Sequence, residues 1–186
     1  METLYFNNIK IENHSETPER LNIEGYICHF MQKNLNDEVV DKNSFNDFFE
    51  MYSEGKITPV VNYNHDSNQI IGGVDTIETR EDGLYMKAFL NREVRINSEM
   101  IIPNILAGTL NGFSTEGFIK DGWDGIVELS NGGYYVKSFL LTSVAVTATP
   151  ADWDAKFSLS NFIKEYRERK NQSTGEIQNN LKWFRI

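Results

Sequence analysis

The sequence predicts an α+β, β-rich fold: a closed or nearly closed β-barrel with flanking helices. Three observations carry this expectation. Short runs of β-branched and aromatic residues follow one another through most of the chain. Turn clusters such as Asp121-Gly122-Trp123-Asp124-Gly125 and Asn131-Gly132-Gly133 separate them. Helical spacing of apolar residues is confined to two or three segments between them. Many short strands of this kind remove their open edges by curling into a barrel.

Taken in order, residues 4–11 and 21–31 read as extended segments separated by the polar stretch 14–19. Ser44 is placed to cap a helix, with Asp47 three residues on. Phe45, Phe48, Phe49 and Tyr52 then recur on one face until Gly55 ends it. That aromatic stripe reads as a core face. Residues 57–63 form a β-branched run that leads into His65. Residues 70–79 and 84–90 read as a hairpin joined by Arg80-Glu81-Asp82-Gly83. A second helix is expected over 97–106, kinked or ended early by Pro103 and closed by Gly108.

Residues 109–120 alternate as a strand carrying Ser114, residues 126–129 form a short strand, and 134–148 is a long apolar strand region. Leu159, Phe162, Ile163 and Tyr166 give a helical face to 158–169. The segment 171–180 is polar, and Leu181-Lys182-Trp183-Phe184 is apolar enough to dock. The expected organisation is a barrel domain over 1–157 and a C-terminal helix with a flexible tail over 158–186.

Length and composition narrow the function. A chain of 186 residues, 40% hydrophobic, holds one well-buried core and is short for two full domains. A net charge of -9 gives no general attraction to phosphate backbones or anionic lipid, so neither a nucleic-acid nor a membrane partner is expected. Cys28 is the only cysteine, which excludes an internal disulfide and a cysteine-based zinc site; its neighbours Tyr26, Ile27 and Phe30 mark it as a buried, inert thiol. No basic flank and apolar stretch of a signal peptide is present, and no long apolar run, so a cytosolic setting is expected, in the protein's own cell or a host's. The acidic stretches 78–82 and 152–154 lack EF-hand ligand spacing and read as solvated turns, so no metal and no cofactor is expected.

Two segments could carry chemistry. Asn62-Tyr63-Asn64-His65-Asp66 ends one strand in a polar setting, and Gly112-Phe113-Ser114-Thr115-Glu116-Gly117-Phe118 lies within another. A serine hydroxyl is a weak nucleophile until a neighbouring base takes its proton, and imidazole is the usual base near pH 7. Of the three histidines, His14 lies in a polar linker and His29 between apolar neighbours, and neither has surroundings comparable to those of His65. Gly112 and Gly117 would let another backbone come close, either a peptide substrate whose oxyanion meets backbone N–H groups or simply a neighbouring strand. Taken singly, His65 and Ser114 each read more readily as structural residues than as catalytic ones. The Gly-x-Ser-x-Gly elbow of the α/β-hydrolases is absent.

The ordered set of segments resembles the tailed-phage prohead (capsid maturation) serine proteases, a family related in fold to the herpesvirus assemblin proteases. The resemblance spans about residues 20–155 and rests on Ile23-Glu24-Gly25-Tyr26, the region 41–49, His65-Asp66 with Ile71-Gly72, and Glu81-Asp82-Gly83-Leu84-Tyr85. It continues through the serine segment ending in Gly117-Phe118, and Ser143-Val144-Ala145-Val146 before Pro150-Ala151. It implies an assemblin-like barrel, Ser114 as nucleophile and His65 as general base.

Relatives carry an acidic residue a few positions before the Pro-Ala pair. This chain has Ser143 there, which makes Ser143 the expected third site residue, with Asp66 or Glu116 as other sources of an acid. A hydroxyl can fix the imidazole tautomer but cannot offset imidazolium charge.

The resemblance further implies an endopeptidase inside the immature phage capsid, in the bacterial host cytoplasm. It would cleave scaffold or the scaffold-like N-terminal segment of the major capsid protein, and finally itself. Self-association is implied as well, with the apolar face of 158–169 as a candidate surface. The missing acid favours a second reading, a non-catalytic head-assembly or scaffold protein on the same fold. A carboxylate-based hydrolase is a third, with no particular pair marked out.

Overall fold

The structure, a computed structural model, describes residues 13–16, 19–34, 36–148 and 183–185. Its main sheet has eight strands. In chain order they are β1 (Asn13–Glu16), β2 (Arg20–His29), β4 (Val60–Tyr63), β5 (Asp66–Thr79), β6 (Gly83–Asn91), β7 (Gly112–Ile119), β10 (Phe139–Thr147) and β11 (Trp183–Arg185). A second sheet holds β3 (Glu38–Val39), β8 (Ile126–Glu128) and β9 (Tyr134–Val136).

The large sheet runs β1-β2-β6-β5-β4-β10-β7-β11, antiparallel except where β10 lies parallel to β4. It curls strongly enough that β2 and β7, with four strands between them in this order, approach each other. The result is a half-barrel. Of the expected closed or nearly closed barrel, full closure is not seen among the described residues: the hydrogen-bonded order ends at β1 and β11 and does not return on itself.

Inward-facing positions build one core. Along β2, Leu21, Ile23 and Ile27 are buried; Leu84, Met86 and Leu90 on β6 and Val144 and Val146 on β10 join them. Phe45 and Phe48 fill the concave side, with Phe45 edge-on to Phe139. The aromatic stripe is therefore core, as its spacing predicts.

Its helix, α1 (Asn46–Ser53), starts differently from the expectation. Asp41 caps the 3-10 turn over Lys42–Phe45 that leads into α1, accepting from the Asn43 and Ser44 backbone N–H groups while the Ser44 hydroxyl accepts from the Asp41 N–H in return; at the head of α1 itself Phe45 makes no side-chain cap bond. Although partial burial disfavours the charge, the Ser44, Tyr135 and Asn43 hydrogen bonds hold the Asp41 carboxyl below its ordinary range.

Pro103 acts as expected of a helix interrupter. The turn Asn97–Ile101 is wound wide, with the Ile102 N–H reaching the Asn97 carbonyl, before α2 (Ile102–Leu106) begins with Pro103 in its first turn. The hairpin of 70–79 and 84–90 is β5 and β6, with β5 extended back to Asp66.

Other expectations need correction. The stretch 14–19, read as a linker, contains most of β1, paired with β2. The long strand expected over 134–148 is two strands in two sheets. Lys137 and Ser138 turn aside between them, the first donating its N–H to the Gly125 carbonyl and the second its hydroxyl to Asp47. The strands expected over 4–11, the helix over 158–169 and the boundary at 157 lie outside the described residues. The apolar C-terminal segment does dock: β11 pairs antiparallel with β7.

Candidate active site

Three adjacent strands bring the site together. β10 lies between β4 and β7, so Ala145 faces Asn62 on one side and Ser114 on the other, while Ser143 faces Val60 and Glu116. On β7 the alternation buries Phe113, Thr115, Gly117 and Ile119 toward the core and turns Ser114, Glu116 and Phe118 to the opposite face. Ser114 and Glu116 are thus neighbours on one surface, two residues apart.

A bulge at Thr142 shifts the register of β10 so that Ser143 falls opposite Glu116, and the Thr142 hydroxyl bonds the Glu116 carbonyl. Gly117 belongs to this sheet geometry: a Cβ there would stand 2.1 Å from the Leu140 carbonyl oxygen. Of the two uses open to it from sequence, close approach of a neighbouring strand is the one found.

His65 reaches this surface from a turn. β4 and β5 are joined by Asn64 and His65 alone, with Tyr63 paired to Asp66, and both turn residues have positive φ, 51° and 62°. Two left-handed residues in a two-residue hairpin are the signature of a type I′ turn, in which Asn is favoured at the first position. Histidine at the second is unfavourable by about 1–2 kcal/mol. The Asn64 N–H bonds the Val146 carbonyl and ties the turn to β10. Asp66 anchors the far side by accepting from the Asn68 N–H and the Gln69 amide.

From this turn the imidazole lies across β10, where Ala145 offers little bulk, and it is 6% exposed. Its Nε2 stands 2.7 Å from the Ser114 Oγ, across 49 positions of sequence. Its Nδ1 stands 3.4 Å from the Glu116 Oε2, an ion-pair separation that is long for a hydrogen bond.

Glu116 is where the structure departs from the expected third member. Ser143 donates its hydroxyl proton to the Glu116 Oε2 at 3.1 Å and accepts from the Asn62 Nδ2 at 3.2 Å. Asn62 and Ser143 are both buried, so a polar line runs from Asn62 through Ser143 and Glu116 to His65 and Ser114. Glu116 could have been ranked above Ser143 from sequence, since residues two apart on an alternating strand share a face. Asn62 carried no such signal.

The remaining candidates lie elsewhere. His29 stacks on Tyr26 at the end of β2, and His14 is on β1. Cys28 is free and buried, and burial pushes its thiol up to about 12, which removes it as a nucleophile at neutral pH. No helix among the described residues is long and apolar enough to cross a membrane.

A hydroxyl, an imidazole and a carboxylate in line are the side chains with which one class of hydrolases carries out acyl transfer, on several unrelated folds. The particular family follows from sequence: the chain belongs to the caudovirus prohead serine proteases, whose family model matches residues 7–169. Among solved structures, the bacteriophage T4 capsid assembly protease, gp21, superposes with a TM-score of 0.54 at 16% identity, covering 74% of this chain and 93% of its own. That likeness is one of fold. The varicella-zoster virus protease matches with a TM-score of 0.39 at 13% identity, over 80% of this chain and 78% of its own. No curated protein matches the chain by sequence.

Proposed function

We propose that this protease is a serine endopeptidase of capsid maturation in which Ser114 is the nucleophile, His65 the general base and Glu116 the acid that orients it. The separation of 2.7 Å between His65 Nε2 and Ser114 Oγ carries the reading, because proton transfer needs hydrogen-bond reach. With its own proton on Nδ1, facing Glu116, the imidazole accepts the Ser114 proton as the oxygen attacks the scissile carbonyl. It then returns that proton to the leaving amine. Water, deprotonated by the same imidazole, releases the acyl group and restores the hydroxyl. The Glu116 charge stabilises the imidazolium between these steps. Ser143 and Asn62 are positioning residues that hold the Glu116 carboxylate toward the ring.

The substrates fitting the family are the scaffold or the scaffold-like N-terminal segment of the major capsid protein, inside the immature capsid in the bacterial host cytoplasm, with self-cleavage at the end. Catalyst and substrate enclosed in one small volume meet at high effective concentration, so a modest rate suffices. The non-catalytic alternative drew its support from a missing acid, and Glu116 supplies one.

Co-expression with the capsid protein tests the proposal. Wild type is expected to shorten the capsid protein or scaffold, as read by intact mass, and Ser114→Ala and His65→Ala are each expected to abolish processing. Unchanged processing in both variants would overturn it.

A further inference from the structure

β7 has a neighbour on each side, and the two are very different. β10 follows it from Gly112 to Ile119, whereas the described residues of β11 lie opposite Phe118, Gly117 and Glu116. The direction of β11 matters more than its length. Trp183 lies opposite Phe118, Phe184 opposite Gly117 and Arg185 opposite Glu116, so the strand advances toward Ser114 as it runs from N to C. A peptide continued in that register for two more residues, about 7 Å of extended chain, comes opposite Ser114.

An extended peptide paired with β7 in this direction and presenting a carbonyl to Ser114 must therefore place its preceding residues where 183–185 lie. We propose that Trp183–Arg185 is a built-in competitor: it occupies in cis the edge of β7 along which the N-terminal side of a peptide substrate docks, and it must leave before that substrate can bind. This rests on the assignment of Ser114 as nucleophile.

Strand addition recognises backbone first and side chains second, which suits an edge able to take both a tail and a substrate. The pairing among the described residues is three residues long, the short end of the usual range for a strand, and a short pairing is readily displaced. Being tethered, it still competes at the effective concentration of an intramolecular ligand. The tail would then hold the protease in check until substrate is abundant, as it is in a crowded shell.

Peptide binding in the inert Ser114→Ala background provides the test. A labelled peptide of sequence Leu-Lys-Trp-Phe-Arg-Ile is titrated, with fluorescence anisotropy as readout, into the full chain and into a chain ending at Asn180. Saturable binding to the shortened chain, weakened about tenfold or more in the full chain by the tethered competitor, is the expected result. With the serine restored, the shortened chain should show a lower KM for the capsid protein at unchanged kcat, and added peptide should raise KM again.

Phe184→Pro in the full chain removes a backbone N–H from β11 without shortening the protein and should act in the same direction. It also covers the case in which the shortened chain does not fold. Equal peptide binding to full, shortened and Phe184→Pro chains, or no binding to either altered chain up to about 1 mM, the effective concentration of a tethered strand, would overturn the proposal. Because binding is read without catalysis, loss of the Ser114 assignment would show instead as processing that survives Ser114→Ala.

Discussion

Glu38 and Glu116 are the same side chain in opposite settings. Glu38, on β3, is fully buried, and burial pushes its carboxyl up to about 8 against the hydrogen bonds from Asn34 and Asn36 that favour the charge, with Asp37 adding repulsion. At neutral pH it is mostly an uncharged group that accepts from the Asn34 amide and fixes the loop before β3. Glu116, on β7, keeps 15% of its side chain exposed, accepts from Ser143 and faces the His65 ring. The difference shows what an orienting acid requires. In the role proposed for Glu116, the group must be enclosed enough to act strongly on the imidazole and open enough to stay charged.

Glu116→Gln breaks the comparison most directly. The amide is isosteric but neutral, so it neither offsets the imidazolium nor enforces the tautomer with a proton on Nδ1. We expect kcat on capsid protein to fall by about 10²–10⁴, the upper figure being that of a triad acid replaced by its amide. KM should change little, because the carboxylate acts on the base and not on bound peptide. A fall of less than threefold in steady-state assays would remove Glu116 from the machinery.

Glu38→Gln probes the other half, with stability as the readout. The folded-state value of about 8 lies above the unfolded value near 4.5, so the folded chain holds a proton that the unfolded chain releases. The stabilising contribution is present in full below pH 4.5, declines as pH rises, and is lost by about pH 8, with a slope up to roughly 1.4 kcal/mol per pH unit. Asp41 and Asp47 are shifted the other way, below an ordinary 3.8, so their contributions are lost only in stronger acid. Urea unfolding of wild type and Glu38→Gln at pH 5 and pH 8 should show the variant gaining relative stability at the higher pH. Parallel changes in the two proteins would mean that Glu38 is charged when folded.

Much of this was legible because the signals were periodic. The alternation in β7 set Ser114 on a face, the β-branched run ending at Tyr63 placed His65 at a strand end, and the stripe from Phe45 to Tyr52 marked the core. What escaped depended on registers between distant strands. Whether Ser143 meets His65 or Glu116 is decided by the bulge at Thr142, one extra residue in a ladder that no local pattern announces. Similarly, the position of β10 between β4 and β7 makes Asn62 a partner of Ser143 across 81 positions. Barrel closure was illegible for a related reason: strand spacing counts strands but does not say which edges meet.

Ser143→Ala gives the smallest and most discriminating effect. Its hydroxyl gives its proton to Glu116 and accepts from Asn62, so its loss frees the carboxylate to rotate away from His65 without removing the acid. One such hydrogen bond is worth about 0.5–1.5 kcal/mol, which corresponds to a two- to tenfold drop in kcat. The double variant decides how that drop arises. If Ser143 acts through Glu116, adding Ser143→Ala to Glu116→Gln should cost almost nothing further, since there is no carboxylate left to position. If Ser143 were itself the residue that orients the imidazole, as its place before Pro150-Ala151 implies by resemblance, the two losses would multiply. Single-turnover cleavage of a capsid-derived peptide by the four proteins separates these outcomes, and the line Asn62-Ser143-Glu116-His65 predicts the first.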